Sequence, residues 1–278
     1  TRKKNKREFK KIVMKNYLVI GNPIKHSISP KIHNYWFEKN EIQAKYNKEE
    51  LLENQLEGFV KKIRNRDLDG ANITVPYKEK IIPLIDELSN EAREANSVNT
   101  IYLSNKKVIG HNTDIAGFYL SLKTNNINFK NKKALILGSG GVTPSIIIAL
   151  KKLGLENIVV SNRTKEKAIN LKKRFKFLEV LKWGETTKAN IIINATSLGL
   201  NDSDKIEIDF NIFEPDSFVY DVIYNPTETN FLKEANKKGL ITQNGLMMFI
   251  FQAAEAFKTW HNVKPIIDND LIDYLKND

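Results

Sequence analysis

The stretch Lys132–Pro144 (Lys-Lys-Ala-Leu-Ile-Leu-Gly-Ser-Gly-Gly-Val-Thr-Pro) constrains this chain more than any other. An apolar run, Ala134 to Leu137, predicts a buried strand that breaks at Gly138, and the glycines continue to Gly141. An apolar helical segment, Ile146 to Leu150, follows and stops at Gly154. Strand, glycine turn and helix together open a dinucleotide-binding βαβ unit. Gly138 permits the tight turn, Gly140 removes the Cβ that would hold a pyrophosphate off the backbone, and the helix N-terminus offers free N–H groups to phosphate. Thr143 stands where the third glycine of G-x-G-x-x-G belongs, so by itself the turn also reads as a glycine-rich connection without a ligand.

The next predicted strand, Asn157–Ser161, runs into Asn162, Arg163 and Thr164. A carboxylate at that strand end, roughly 20 residues past the glycines, accepts from the ribose 2′-hydroxyl in NAD-binding units. Here an amide, a guanidinium and a hydroxyl stand there instead, with Lys165 and Lys167 just beyond and Glu166 the one opposing charge. Such a set attracts a 2′-phosphate. Charge therefore favours NADP over NAD.

A length of 278 residues at 41% hydrophobic content supports one large core or two modest ones, and two domains are expected. No segment has the length of a transmembrane span and no signal peptide is visible, so a soluble, cytoplasmic protein is expected. With no cysteine and four scattered histidines, thiolate metal sites are excluded and no metal site is expected. The net charge of +11 suggests nucleic acid until it is located. Residues 1–15 hold eight basic residues and one acid, which is +7 and leaves +4 for the other 263. Residues 1–13 read as a basic, disordered tail, and the compact protein is expected to begin near Met14.

Along the chain, Tyr17–Ile20 predicts a strand ending at Gly21-Asn22-Pro23. Ser29 before Pro30 has a ready role as N-cap with Pro at the first helical position, whereas Ser27 has none. Two hydroxyls at the carboxyl end of a strand can hold a small polar ligand. Ala44–Tyr46 predicts a second strand, Leu51–Arg64 a helix, and Gly70 onward a strand leading to Val75-Pro76-Tyr77-Lys78. Lys78 lies in Lys-Glu-Lys, which ordinarily marks a solvated face. Helices are expected around Ile81–Leu88 and Ser89–Ala95, then a hairpin turning at Ser104–Lys107. Asp114 or Thr113 would cap the next helix.

Taken in order, Gly21-Asn22-Pro23-Ile24, His26-Ser27-x-Ser29-Pro30, Asn72-Ile73-Thr74-Val75-Pro76-Tyr77-Lys78, Val98-Asn99-Thr100, Asn112-Thr113-Asp114, Gly138-x-Gly140-Gly141, Asn162-Arg163-Thr164, Asn194-Ala195-Thr196-Ser197-x-Gly199 and Gln252-Ala253-Ala254 resemble the shikimate dehydrogenase family from about Tyr17 to the C-terminus. The resemblance implies an α/β fold: an N-terminal α/β substrate domain (14–113 and 246–278), a Rossmann-type doubly wound parallel-sheet domain for NADP (114–245), and the active site in the cleft between them. It implies hydride exchange between shikimate or 3-dehydroshikimate and NADP, with no specific nucleic acid, no membrane, and a monomer or homodimer.

By the same resemblance Lys78 and Asp114 are the catalytic pair. The chemistry agrees: oxidising a secondary alcohol needs one group to hold the oxygen and manage its proton. An ammonium there stabilises developing alkoxide, and a neighbouring carboxylate orients it. Ser27 and Ser29 resemble the pair that binds the substrate carboxylate. Thr74, Asn99, Asp114 and Gln252 would ring the hydroxyls, with Asn72 in support and Tyr224 a further contact, although Asn72 and Asn99 also suit turn backbone. Gly138, Ser139, Gly140, Gly141 and Val142 would line the pyrophosphate. Asn162, Arg163, Thr164 and Lys167 would meet the 2′-phosphate. Asn194, Ala195 and Thr196 would lie under the adenosine, and Val222, Gly245 and Met248 near the nicotinamide. The chain departs from the family's Asp-Gly-x-Gly-Met at Asn244–Met248, and from small residues after the glycines at Val142-Thr143-Pro144.

The rivals are an NAD-using quinate/shikimate dehydrogenase, which the missing strand-end acid opposes, and a nucleic-acid-binding protein working through the basic tail. A catalytically dead sensor on this fold is opposed by an intact Lys78 and Asp114. Methylenetetrahydrofolate dehydrogenase shares the broad architecture but not these motifs.

Overall fold

Strand periodicity decides how the first sheet is buried. In β1 (Lys15–Gly21), Tyr17 and Val19 face one helical layer while Leu18 and Ile20 face the other. The structure, a computed structural model, describes residues 14–125 and 127–276; the predicted basic tail, 1–13, lies outside the described residues.

β1 pairs in parallel with β2 (Ala44–Glu50) on one side and β3 (Gly70–Ile73) on the other. The two-residue strand β4 (Glu87–Leu88) pairs with the outer arm of a hairpin formed by β5 (Thr100–Ser104) and β6 (Lys107–His111), giving the order β2-β1-β3-β5-β6-β4. One face is covered by α1 (Ser29–Lys39), the other chiefly by α2 (Leu56–Arg64), with α3 (Asn90–Ala95) contributing Ala92.

From β6 the chain enters α4 (Asp114–Lys123) and the second sheet: β7 (Lys133–Leu137), α5 (Thr143–Lys152), β8 (Asn157–Ser161), α6 (Lys165–Arg174), β9 (Glu179–Leu181), β10 (Ile191–Asn194), β11 (Phe218–Asp221), α7 (Asn230–Lys237) and β12 (Ile241–Gln243). All six strands are parallel in the order β12-β11-β10-β7-β8-β9. Counted from β7, this is the 3-2-1-4-5-6 order of a doubly wound dinucleotide-binding sheet. Its reversal lies between β7 and β10, where such sheets bind their ligands. The strands are short runs of Ile, Leu and Val buried on both faces, as an all-parallel sheet requires.

α8 (Leu246–His261) then returns to the first sheet, followed by α9 (Asn269–Lys276). Met248, near the start of α8, belongs to the core of the second sheet, whereas Phe249, Ile250, Ala253 and Phe257 belong to that of the first. α4 and α8 lie side by side. A Cβ at Gly117 would stand 2.7 Å from the Cβ of Gln252 and 2.9 Å from the carbonyl of Met248, so glycine sets this close approach. Both passages between the sheets thus run through one tight helix pair beneath the cleft.

Three local expectations change. Ile81–Leu88 is not a helix: Pro83 has no N–H to continue one, the chain makes a single 3-10 turn (Ile82–Leu84), and Asp86 draws it onto β6 by accepting from Val108 N at 2.7 Å. The helix expected over Leu51–Arg64 starts only at Leu56, because the Gln55 side chain takes Leu52 N (2.6 Å) and forms a 3-10 turn at Glu53–Gln55. Ser29 is the first residue of α1 rather than its cap, and its hydroxyl makes no capping bond. The hydroxyl is therefore available to something else.

Candidate active site

Lys78 lies in the turn that follows β3. Tyr77 N donates to Thr74 O (2.9 Å) and Val98 N to Lys78 O (2.8 Å), which brings the lysine back against the sheet instead of out onto a solvated face. Its Nζ reaches Asp114 Oδ2 at 2.6 Å, with the two side chains only 11% and 6% exposed. Asp114 opens α4, where the helix dipole favours an anion. Neither Thr113 nor Asp114 caps that helix by its side chain; Asn112 Oδ1 does, accepting from Ile115 N at 3.1 Å.

Asn99 holds the carboxylate from the other side. Its Nδ2 faces Asp114 Oδ1 (3.0 Å), Thr113 Oγ1 (2.9 Å) and Gln252 Oε1 (3.4 Å), while its Oδ1 accepts from Thr113 N (2.7 Å). Lysine, aspartate and asparagine thus come from three different elements into one network, with both aspartate oxygens engaged.

This network lies on the wall of a cavity of about 360 Å³ between the two sheets. Ser27, Ser29, Asn72 and Thr74 line it from the carboxyl ends of β1 and β3, Tyr224 comes from the loop after β11, and Gln252 from α8. The Ser27 hydroxyl donates to Ser29 Oγ at 3.2 Å. Asn72 donates to Asn99 O and Thr100 Oγ1, both at 3.0 Å. Tyr224 packs against Phe249 with ring centroids 4.6 Å apart and planes tilted by 32°, and burial pushes its phenol up to about 12. A charged donor, a fixed carboxylate and a ring of hydroxyls and amides suit a small polyhydroxylated acid. Val142, Val222, Gly245 and Met248 line the same cavity beside Lys78. Gly245 is required there, since a Cβ would stand 2.1 Å from Val222 O.

The glycine turn adjoins this wall. Gly138, at φ +108° with a Cβ position 2.9 Å from Ala195 O, can only be glycine. A Cβ at Gly141 would stand 3.6 Å from that of Lys78, and Ser97 Oγ donates to Gly141 O at 3.0 Å. Thr143, in the third-glycine position, is fully buried and donates to Gly138 O at 3.1 Å, so it closes the turn and faces no ligand. Asn162 Oδ1 accepts from Ser139 N (3.0 Å) and its Nδ2 donates to Thr164 O (2.8 Å), tying the turn to the end of β8. Arg163, Thr164 and Lys167 are exposed beside it.

Asn194 is fully buried, and its amide donates to Leu198 O and Asp221 Oδ1 at 3.0 Å each. Through these bonds it shapes the loop that carries Ala195 and Thr196. Ala195 is buried against Gly138, and the Thr196 hydroxyl donates to Asn194 Oδ1 at 2.7 Å.

The residues present fit a phosphorylated dinucleotide. Space for a Cβ at Gly140 is open for 4 Å around, and the Ser139 hydroxyl is buried without a partner. The strand end beyond presents cations and amides, and its β8 terminus carries no carboxylate.

The sequence reading missed Asp221, whose signal was a carboxylate ending an apolar strand. It accepts from Asn194, from Ile223 N (3.0 Å) and from Thr229 Oγ1 (2.6 Å), bracing the loop that carries Val222 and Tyr224. Burial pushes its carboxyl up to about 6 against those hydrogen bonds. Thr113 and Ser97 were missed because each acts through a contact set only by the fold.

Two family models match the chain: the shikimate dehydrogenase substrate binding domain over residues 19–101, and shikimate / quinate 5-dehydrogenase over residues 120–200. A shikimate dehydrogenase (NADP(+)) of Pelagibacter ubique is 57% identical over 261 residues, which is 94% of this chain and 98% of that protein. The crystal structure of shikimate dehydrogenase from Aquifex aeolicus superposes with a TM-score of 0.86 at 36% identity, covering 95% of this chain and 98% of that one. That of the Thermus thermophilus enzyme in complex with NADP(H) and shikimate gives 0.85 at 33% identity, over 95% and 99%.

Proposed function

The chain belongs to the shikimate dehydrogenase family, and from that premise we propose that it interconverts shikimate and 3-dehydroshikimate with NADP as its redox partner. The observation that carries this reading is the buried Lys78–Asp114 pair, 2.6 Å apart on a cavity wall against the glycine turn. In this reading 14–113 and 246–278 form the substrate domain and 114–245 the NADP domain. The protein works in the cytoplasm as a monomer or homodimer.

NADP, when bound, supplies the hydride exchange with the substrate carbon. The chain's residues do the rest. Lys78 donates from Nζ to the reacting oxygen, stabilises negative charge as it develops there, and hands over the proton in ketone reduction. Asp114, fixed by Asn99, orients that ammonium and accepts from an adjacent substrate hydroxyl. Ser27 and Ser29 bind the carboxylate, while Thr74, Asn72, Gln252 and Tyr224 hold the ring. Gly138 to Val142 seat the pyrophosphate, and Arg163 with Lys167 the 2′-phosphate. Val222, Gly245 and Met248 bound the nicotinamide end.

The test is NADP⁺ reduction followed at 340 nm with shikimate and, separately, with quinate, repeated with NAD⁺. The reading expects turnover of shikimate with kcat/KM for NADP⁺ well above that for NAD⁺. A preference for quinate with NAD⁺ would instead establish the nearest rival.

A further inference from the structure

Tyr46 lies inside β2, away from every motif above, and is 1% exposed. Three features hold it in one pose. Asn34 clips its peptide, accepting from Tyr46 N at 2.9 Å and donating to Tyr46 O at 2.8 Å. His33 lies flat on its ring, with centroids 4.3 Å apart, planes 4° apart and neither imidazole nitrogen hydrogen-bonded. The phenol donates to Asn72 Oδ1 at 2.6 Å.

That last bond has a direction. Both Asn72 amide protons go to Asn99 O and Thr100 Oγ1, so its oxygen has to face a donor, and the phenol is that donor. The Ser29 hydroxyl bonds the same phenol. Tyr46 therefore touches two cavity-lining residues from behind: a serine assigned to the substrate carboxylate and an asparagine on the ring side.

We propose that Tyr46 is a positioning residue for the substrate, fixing the spacing between Ser29 and Asn72 without touching either ligand. The inference rests on the function proposed above. Its side-chain bonds go only to the substrate side, so its influence is on affinity for the hydroxy acid and not for the nucleotide. Removing the phenol oxygen leaves Asn72 Oδ1 buried without a donor and frees both groups to turn.

Steady-state kinetics of Tyr46→Phe test this. KM for shikimate is expected to rise roughly tenfold, because Ser29 and Asn72 are no longer held at their spacing before the substrate arrives. KM for NADP⁺, and NADPH affinity by fluorescence titration, are expected to stay within about twofold. A purely structural role would lower the melting temperature or the active fraction and leave the KM for shikimate unmoved. Ser29→Ala and the double variant complete a cycle: if Tyr46 acts through Ser29, the double variant is less impaired than the product of the singles. A wild type that turns over shikimate beside a Tyr46→Phe with unchanged KM, or with equal rises in both KM values, overturns this inference alone. A wild type without shikimate turnover overturns the proposed function, and this inference with it.

Discussion

At residue scale, the Lys78–Asp114 contact separates chemistry from binding. Nothing in the glycine turn depends on the Lys78 ammonium: what adjoins Gly141 is the Lys78 Cβ, 3.6 Å from where a Cβ on that glycine would stand. Lys78→Ala is therefore expected to cut kcat by about 100-fold or more, the range of a lost positioned proton donor, while NADPH affinity by fluorescence titration moves little. Arg163 makes the opposite case. Exposed beside the turn, it is assigned above to the 2′-phosphate alone, and on that assignment Arg163→Ala should raise KM for NADP⁺ roughly tenfold and leave KM for NAD⁺ alone. Equal rises for the two nucleotides would show that this assignment is wrong. Asn194 shows what motif reading cannot supply, because the bond of its amide to Asp221, 27 residues on, is set only by the fold.

At element scale, what the sequence made legible was whatever local rules decide. β7, β8 and β10 stand out as apolar runs ending in glycine or polar turns, and their parallel pairing follows from the helices between them. Ile81–Leu88 looked helical by composition, yet Pro83 and the pull of Asp86 on β6 override it. Lys78 was hidden in a charge run because its burial depends on Val98 N, and Tyr46 because its partners stand 17 and 26 residues away along the chain. Gly117 was also unreadable, since a helical glycine gives no sign of what it faces. Across the α4–α8 contact, Gly117→Ala should cost about 1–3 kcal/mol by overpacking. It should also raise KM for shikimate, since the displaced atoms include Gln252. Thermal melts and kinetics on one preparation check both, and a stability loss without a KM change would separate the helix contact from the site.

At the scale of the whole molecule, acid stability turns on buried titratable groups that pull in opposite directions. Desolvation lowers His33 to about 3 and His261 to about 4, so the fold favours their neutral forms. That stability is fully present above the unfolded value near 6.5 and is lost as pH falls below it. Asp221, raised to about 6, behaves oppositely: the fold favours its protonated form, so its contribution is present below 3.8 and lost as pH climbs through 6. His33 isolates the first effect, being fully buried among Tyr46, Trp36 and Phe257 with no hydrogen bond to lose. Its protonation in the unfolded chain alone should cost about 3 kcal/mol at pH 4 and nothing at pH 8. His33→Phe is therefore expected to melt several degrees above the wild type at pH 4, and the gap should close toward pH 8 apart from a constant packing difference. Melting curves of both proteins across that range decide it, and a gap independent of pH would mean that the imidazole is solvated or paired in solution.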